Sequence, residues 1–226
     1  MSNVAMILPS KGRPAQLRRN ATELLMQIPP RGVNFYLLLA VIWNDDPTVT
    51  VARDLSEAWQ DSDTPVGIVY REPGTNVVEA LNQGYQATRA AFDWYVLGTD
   101  DQQYRSGWLA AALHVAQDTG AQVIGLNDLH TNIDQYAPHY MMHADFIEGE
   151  LGGVMVPPEY KTWWFDREIC ERARRAGLYA PAWGAIVEHC HPDWGTAELD
   201  DTYRLAMPDR EADRRLYEER RARNYA

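Results

Sequence analysis

Between residues 4 and 126, short apolar runs without period-two alternation keep changing places with stretches of helical period, and this order constrains the fold more than any other feature. Val4 to Leu8 reads as a strand, and Pro14 then opens a helix whose stripe is Leu17, Ala21, Leu24, Leu25 and Ile28. Asn34 to Trp43 is a second strand, apolar on both faces as a strand covered on both sides must be. Leu55, Ala58 and Trp59 predict a short helix. Val66 to Tyr70 gives a third strand, and Asn76 caps a helix carrying Val78, Leu81, Tyr85 and Phe92. Trp94 to Leu97 is a fourth strand. Ser106 is a cap for the helix with Trp108, Leu109, Ala112, Leu113 and Ala116, Gly120 supplies its left-handed end, and Ala121 to Leu126 is a fifth strand. The expectation is an α/β, mostly parallel sheet with helices on both faces and ligands beyond the strand C-termini.

Residue 128 onward changes character. Loops, glycines and aromatics fill 128–165, a helix follows from Asp166 to Ala176 ended by Gly177, and Ile186 to His191 reads as a strand. We take 1–226 as a single domain: a ligand-binding half at 1–127, an acceptor-side half laid over the same sheet at 128–208, and a charged helix at 209–226. That last stretch holds six Arg and five acidic residues, the pattern of a solvated helix laced with i,i+4 pairs.

Several functions are excluded. The longest apolar run, Phe35 to Trp43, has nine residues where a spanning helix needs about 20, so no membrane partner is expected. Val4 to Pro9 lacks a preceding basic region and reads as a buried strand, not a secretory signal, which makes the expected location cytoplasmic. Two cysteines, Cys170 and Cys190, make no disulfide framework. A net charge of −11 opposes binding to phosphate backbones. The two lysines, Lys11 and Lys161, do not stand in a Walker A loop, and no Gly-x-Gly-x-x-Gly follows the first strand.

The residues that carry chemistry sit at predicted strand ends. Asp100 and Asp101 follow Trp94-Tyr95-Val96-Leu97 and Gly98-Thr99, so two carboxylates stand on a C-terminal rim, where oxygen ligands suit Mg²⁺ or Mn²⁺. Their bland alternative is a solvated turn. Asp45 and Asp46 close the second strand, and Lys11 and Arg13 follow the first. His189 and His191 flank Cys190, so strand alternation turns both imidazoles to one face and the thiol to the other. His139 and His143 have helical ligand spacing, but Pro138 and the lack of a nearby acid set them aside. Asp166 reads as the N-cap of its helix.

The set Ala5-Met6-Ile7-Leu8-Pro9-Ser10-Lys11-Gly12-Arg13-Pro14, Asn44-Asp45-Asp46, Asn76 with Ala80-Leu81-Asn82-Gln83-Gly84, Tyr95 to Gln102, Trp164-Phe165-Asp166-Arg167-Glu168 and Glu188-His189-Cys190-His191-Pro192 resembles, in order, GT-A nucleotide-sugar-dependent glycosyltransferases. The layout is similar to glycosyltransferase family 2. It departs at Thr99, where the family's Asp-x-Asp has its first acid, which puts the metal role on Asp101. The resemblance implies a metal-dependent glycosyltransferase that moves a sugar from a nucleoside diphosphate, UDP by default, to a hydroxyl acceptor, with inversion favoured. It implies donor-binding roles for Pro9, Lys11, Arg13, Asp45, Asp46, Asn76, Asn82 and Asp100, a Mn²⁺ or Mg²⁺ ion on Asp101 with His191 (His189 as the alternative), and Asp166 as general base. Gly153, Trp163 and Trp164 form the acceptor side. A nucleotidyltransferase and a non-catalytic sugar-nucleotide-binding module are the rival functions. A loose likeness to phage enzymes that glycosylate modified DNA pyrimidines leaves nucleic acid possible only as an acceptor.

Overall fold

In the computed structural model, which describes residues 2–27 and 29–225, the first apolar run becomes β1 (Ser2–Ser10), and every residue from Val4 to Ser10 is buried. β1 pairs in parallel with β2 (Val33–Ile42) along its whole length and, on its other edge, with β4 (Trp94–Leu97). β3 (Val66–Arg71) lies outside β2, also parallel. Pleating sends Val4, Met6 and Leu8 into one core with α1 (Pro14–Leu25), α2 (Asp46–Trp59) and α4 (Trp108–Thr119). Ala5 and Ile7 enter the opposite core, with α3 (Val77–Thr88), α5 (Ala144–Gly149) and α6 (Phe165–Arg175). The sheet is therefore covered on both faces, as its unalternating strands require.

Local chemistry sets most boundaries. Pro14 is the first residue of α1, and Asn76 caps α3 in a reciprocal capping box with Glu79. Gly120 ends α4 at φ +69°, but that helix is entered through Gly107 at φ +83°, so Ser106 is not its cap. Ile28, the last member of the predicted α1 stripe, lies outside the described residues. Gly84 brings α3 onto β1: an added Cβ would stand 2.5 Å from Ile7 Cγ2. Overpacking costs about 1–3 kcal/mol against about 1 kcal/mol gained in helix propensity, so Gly84→Ala is expected to lower the urea midpoint.

The second half adds β5 (Gln102–Tyr104), β6 (Val123–Asn127), β7 (Tyr140–His143) and β8 (Tyr179–His189), completing the order β3-β2-β1-β4-β7-β6-β8-β5. β7 runs antiparallel between β4 and β6, β8 is parallel to β6, and β5 closes the edge antiparallel to β8. β8 starts seven residues before the predicted Ile186, because Pro181 and Gly184 hide a strand whose register shifts at Leu126/Asn127. α7 (Asp201–Ala206) and α8 (Asp209–Ala222) end the chain. α8 shows the expected Arg214–Glu218 surface pair, yet it also turns Asp213 and Arg220 inward against α6 and the loop before it. Among the described residues no helix is long and apolar enough to cross a membrane.

Candidate active site

β1 has β2 on one side and β4 on the other, so the connections from these strands leave in opposite directions and open a crevice beyond the strand ends. A cavity of about 610 Å³ fills it, floored by the turns after β1 and β4 and walled by the 162–167 segment, the His189–Trp194 segment and α7.

Asp100 and Asp101 lie on the cavity floor, both buried. Asp100 accepts from Ser10 Oγ at 2.7 Å and from Arg13 Nη1 at 3.0 Å. Asp101 accepts from the Thr99 hydroxyl, and its Oδ2 from Tyr203 Oη at 2.7 Å; His189 Nε2 stands 3.8 Å from the same oxygen. Burial and the charge of Asp101 push the Asp100 carboxyl above the usual range, against the pull of Arg13. Burial acts the same way on Asp101, but His189, Thr99 and Tyr203 outweigh it and hold that carboxyl below the usual range. The neighbouring acids thus titrate apart.

Arg13 is the local cation. Its guanidinium sits 4.2 Å over the Tyr203 ring and forks onto Asp200 at 2.7 and 2.8 Å, while Nη1 serves Asp100. Desolvation opposes its charge, but Asp200, Asp100 and Asp101 overcome that and raise its pKa above the ordinary arginine value. Arg71, at the end of β3, has no such partner: Nη2 donates to the Ser10 carbonyl at 3.1 Å, Nε has no acceptor, and burial pulls the pKa down to about 10. It lines the cavity as a buried cation without a carboxylate in salt-bridge range among the described residues.

The histidines form a row beside Asp101. The His189 ring centroid is 4.5 Å from that of His139 and 5.0 Å from that of His191, and all three line the cavity. His189 stands against Asp101, whereas His191 uses Nδ1 to accept from the Asp193 backbone at 3.1 Å.

Across the cavity, the helix cap of α6 is Trp164 and not Asp166. Trp164 holds φ +68°, a left-handed conformation that costs a non-glycine residue about 1–3 kcal/mol, and its ring is held at 5.6 Å from that of Tyr217 on α8. Asp166 follows as the second helical residue, half-buried on the cavity wall. Packing pushes its carboxyl up to about 6, although the backbone N–H groups of Arg167 and Asp166 itself pull the other way. The preceding backbone is fixed by Asp213, which accepts from Thr162 N and Trp163 N at 2.9 Å each.

The comparison with family models finds no match, and neither does that with curated proteins. Solved structures do match. The mannosyltransferase PcManGT from Pyrobaculum calidifontis, in complex with GDP-Man and Mn²⁺, superposes with a TM-score of 0.67 over 82% of this chain and 56% of that one, at 16% identity. S. aureus TarS 1-349 in complex with UDP-GlcNAc gives 0.62 over 92% of this chain and 64% of that one, at 11% identity. The chain has the GT-A fold. It spans less than two thirds of either structure.

In this GT-A frame Pro9, Lys11, Arg13, Asn76 and Asp100 meet in the cavity with Asp101, His189, His191, Trp163, Trp164 and Asp166. Four candidates do not line it. Asp45 accepts from Gly12 N at 2.7 Å, bracing the turn after β1, and Asp46 starts α2. Asn82 exchanges hydrogen bonds with the Val156 backbone at 2.8 and 2.9 Å, a tie between α3 and the loop that joins α5 to α6. Gly153 lies against Arg89 and Gln86, away from the aromatic wall. The residues missed are Arg71, His139, Asp200 and Tyr203. A charge closing the apolar run Val66 to Tyr70 was the signal for Arg71; Asp200 and Tyr203 act through contacts 187 and 102 residues away, which no local pattern carries.

Proposed function

We propose that the chain transfers a sugar from a nucleoside diphosphate to a hydroxyl acceptor, with inversion at the anomeric carbon. The observation that carries this reading is that the pair of acids at the end of β4 and a third carboxylate, Asp166, line one cavity on the GT-A fold. The acceptor oxygen bonds to the anomeric carbon as the bond from that carbon to the diphosphate oxygen breaks. The bonding pair leaves with the diphosphate, and Asp166 takes the acceptor proton. Arg71 and Lys11 offer the charge that a leaving diphosphate needs. UDP is the nucleotide we assign; TarS has been solved with UDP and UDP-GlcNAc, PcManGT with GDP-Man.

A divalent ion fits the donor set. Among the described residues no three His, Cys, Asp or Glu side chains converge as a preformed cage. A hard cation working on a diphosphate uses one or two carboxylates and completes its shell with phosphate oxygens and water, which is what Asp101 with His189 offers, and His191 is next in line. When bound, Mn²⁺ or Mg²⁺ would neutralise the charge developing on the leaving diphosphate. Asp101→Asn keeps the shape and removes that charge, so calorimetry with UDP should show metal-assisted affinity in the wild type and its loss in the variant. His189→Ala is expected to weaken Mn²⁺ binding about 10-fold or more, and His191→Ala less. Incubation with nucleotide sugars and Mn²⁺ tests the whole reading: released sugar plus diphosphate supports it, while pyrophosphate exchange or binding alone goes against it.

A further inference from the structure

His139 is buried, lines the cavity beside His189, and has one ring nitrogen, Nε2, without a hydrogen-bond partner. Its other nitrogen, Nδ1, meets Nε2 of the buried Gln102. The orientation of that amide is forced. Gln102 Oε1 takes the Thr99 backbone N–H at 3.1 Å and the Tyr104 hydroxyl, and a backbone N–H can only donate. A flipped amide would set its NH₂ against the Thr99 N–H. The NH₂ therefore faces His139 Nδ1, which must accept and carries no proton, so the ring's hydrogen is on Nε2. Nε2–H is then a buried donor with nothing to donate to, and leaving such a group unpaired is costly enough that it implies an acceptor at that place in the working state.

We propose that His139 is a donor-specificity residue whose Nε2–H hydrogen-bonds an oxygen of the nucleotide sugar seated over Asp101. The inference rests on the donor reading above, and the acceptor is a diphosphate oxygen or a hydroxyl of the transferred sugar. His139 is not a metal ligand, since its free nitrogen holds the proton and its lone pair is engaged with Gln102. Gln102 is the positioning residue, setting the tautomer from behind.

Calorimetric titration of wild type, His139→Phe and Gln102→Glu with UDP and with a panel of UDP-sugars in Mn²⁺ tests this. The phenyl ring keeps the packing and removes the donor, and affinity for the accepted nucleotide sugar should fall about 10-fold. Gln102→Glu puts an acceptor against Nδ1, draws the proton there, and should cause a similar loss with the imidazole still in place. A loss seen with UDP as well assigns the diphosphate oxygen; a loss confined to the nucleotide sugar assigns the sugar hydroxyl. Equal affinity in variant and wild type overturns the role of His139. A wild type that binds no nucleotide sugar removes the donor reading, and this inference with it. Weaker Mn²⁺ binding by His139→Phe in the absence of nucleotide would make the residue a metal ligand and also overturn it. ¹⁵N spectra of the wild-type imidazoles check the tautomer without any variant: Nε2–H is expected, and Nδ1–H refutes the argument.

Discussion

Asp166→Asn is expected to bind UDP and Mn²⁺ as wild type does while turnover falls by about 10²-fold to 10⁴-fold, the usual worth of a positioned base. The variant is clean because Asn keeps the shape and an acceptor oxygen for the backbone N–H groups of Arg167 and residue 166 at the start of α6. The pH profile should agree. A base must be ionised to accept a proton, and the Asp166 carboxyl is pushed up to about 6, so turnover should rise through about pH 6 and level off above it. In Asp166→Asn that limb should vanish from the residual rate. A fully active Asn variant with the authentic acceptor would remove Asp166 as base and favour transfer with retention.

The largest stability effect is expected at Glu168, two residues further along α6. It is fully buried, accepts from Tyr160 Oη at 2.8 Å, and holds Arg220 of α8 through two bonds of 2.8 and 2.9 Å. Removing the carboxylate leaves the Tyr160 hydroxyl and two guanidinium N–H groups without their acceptor and Arg220 with only the exposed Glu159, a cost of about 3 kcal/mol. Against a total stability of about 5–15 kcal/mol, Glu168→Ala should move the denaturation midpoint far toward water. Arg214→Ala on the exposed side of α8 breaks only surface pairs with Glu211 and Glu218 and should change stability by less than about 1 kcal/mol. A Glu168→Ala protein as stable as Arg214→Ala would mean that α8 is not fastened to α6 through this contact.

The first half, residues 1–127, was legible because its signals are local. Unalternating strands declare two-sided burial, Pro14 and Asn76 mark helix starts, and Asp100-Asp101 falls where an apolar run stops. The second half hid because its elements depend on distant partners. Tyr140–His143 is four residues long and becomes a strand only by pairing with both β4 and β6. The helical spacing that singles out His139 and His143 does not exist there, since the chain is entering β7, and the acid whose lack sets His139 aside comes from a distant strand end as Asp101. Asp166 was read as a cap because an acid before a helical period looks like one, and the left-handed Trp164 displaced that boundary by two residues. Asn82 matches a motif position and Gly153 stands in a glycine pair, but the two ends of their loop are tied to α3, Val156 by Asn82 and Gly153 by Gln86.

In β1 the side chains of Val4 to Leu8 are divided between the two cores, and none of them reaches the cavity; the ligand-facing groups begin only at Pro9, as the strand runs out. Where β4 gives way to Thr99 and Asp100, only its last residue, Leu97, belongs to both core and cavity. On the proposed function, most of what meets the donor thus lies outside the strands, and exchanges at Lys11, Thr75 or Trp194 are expected to change what binds while the strands beneath go on holding the chain together.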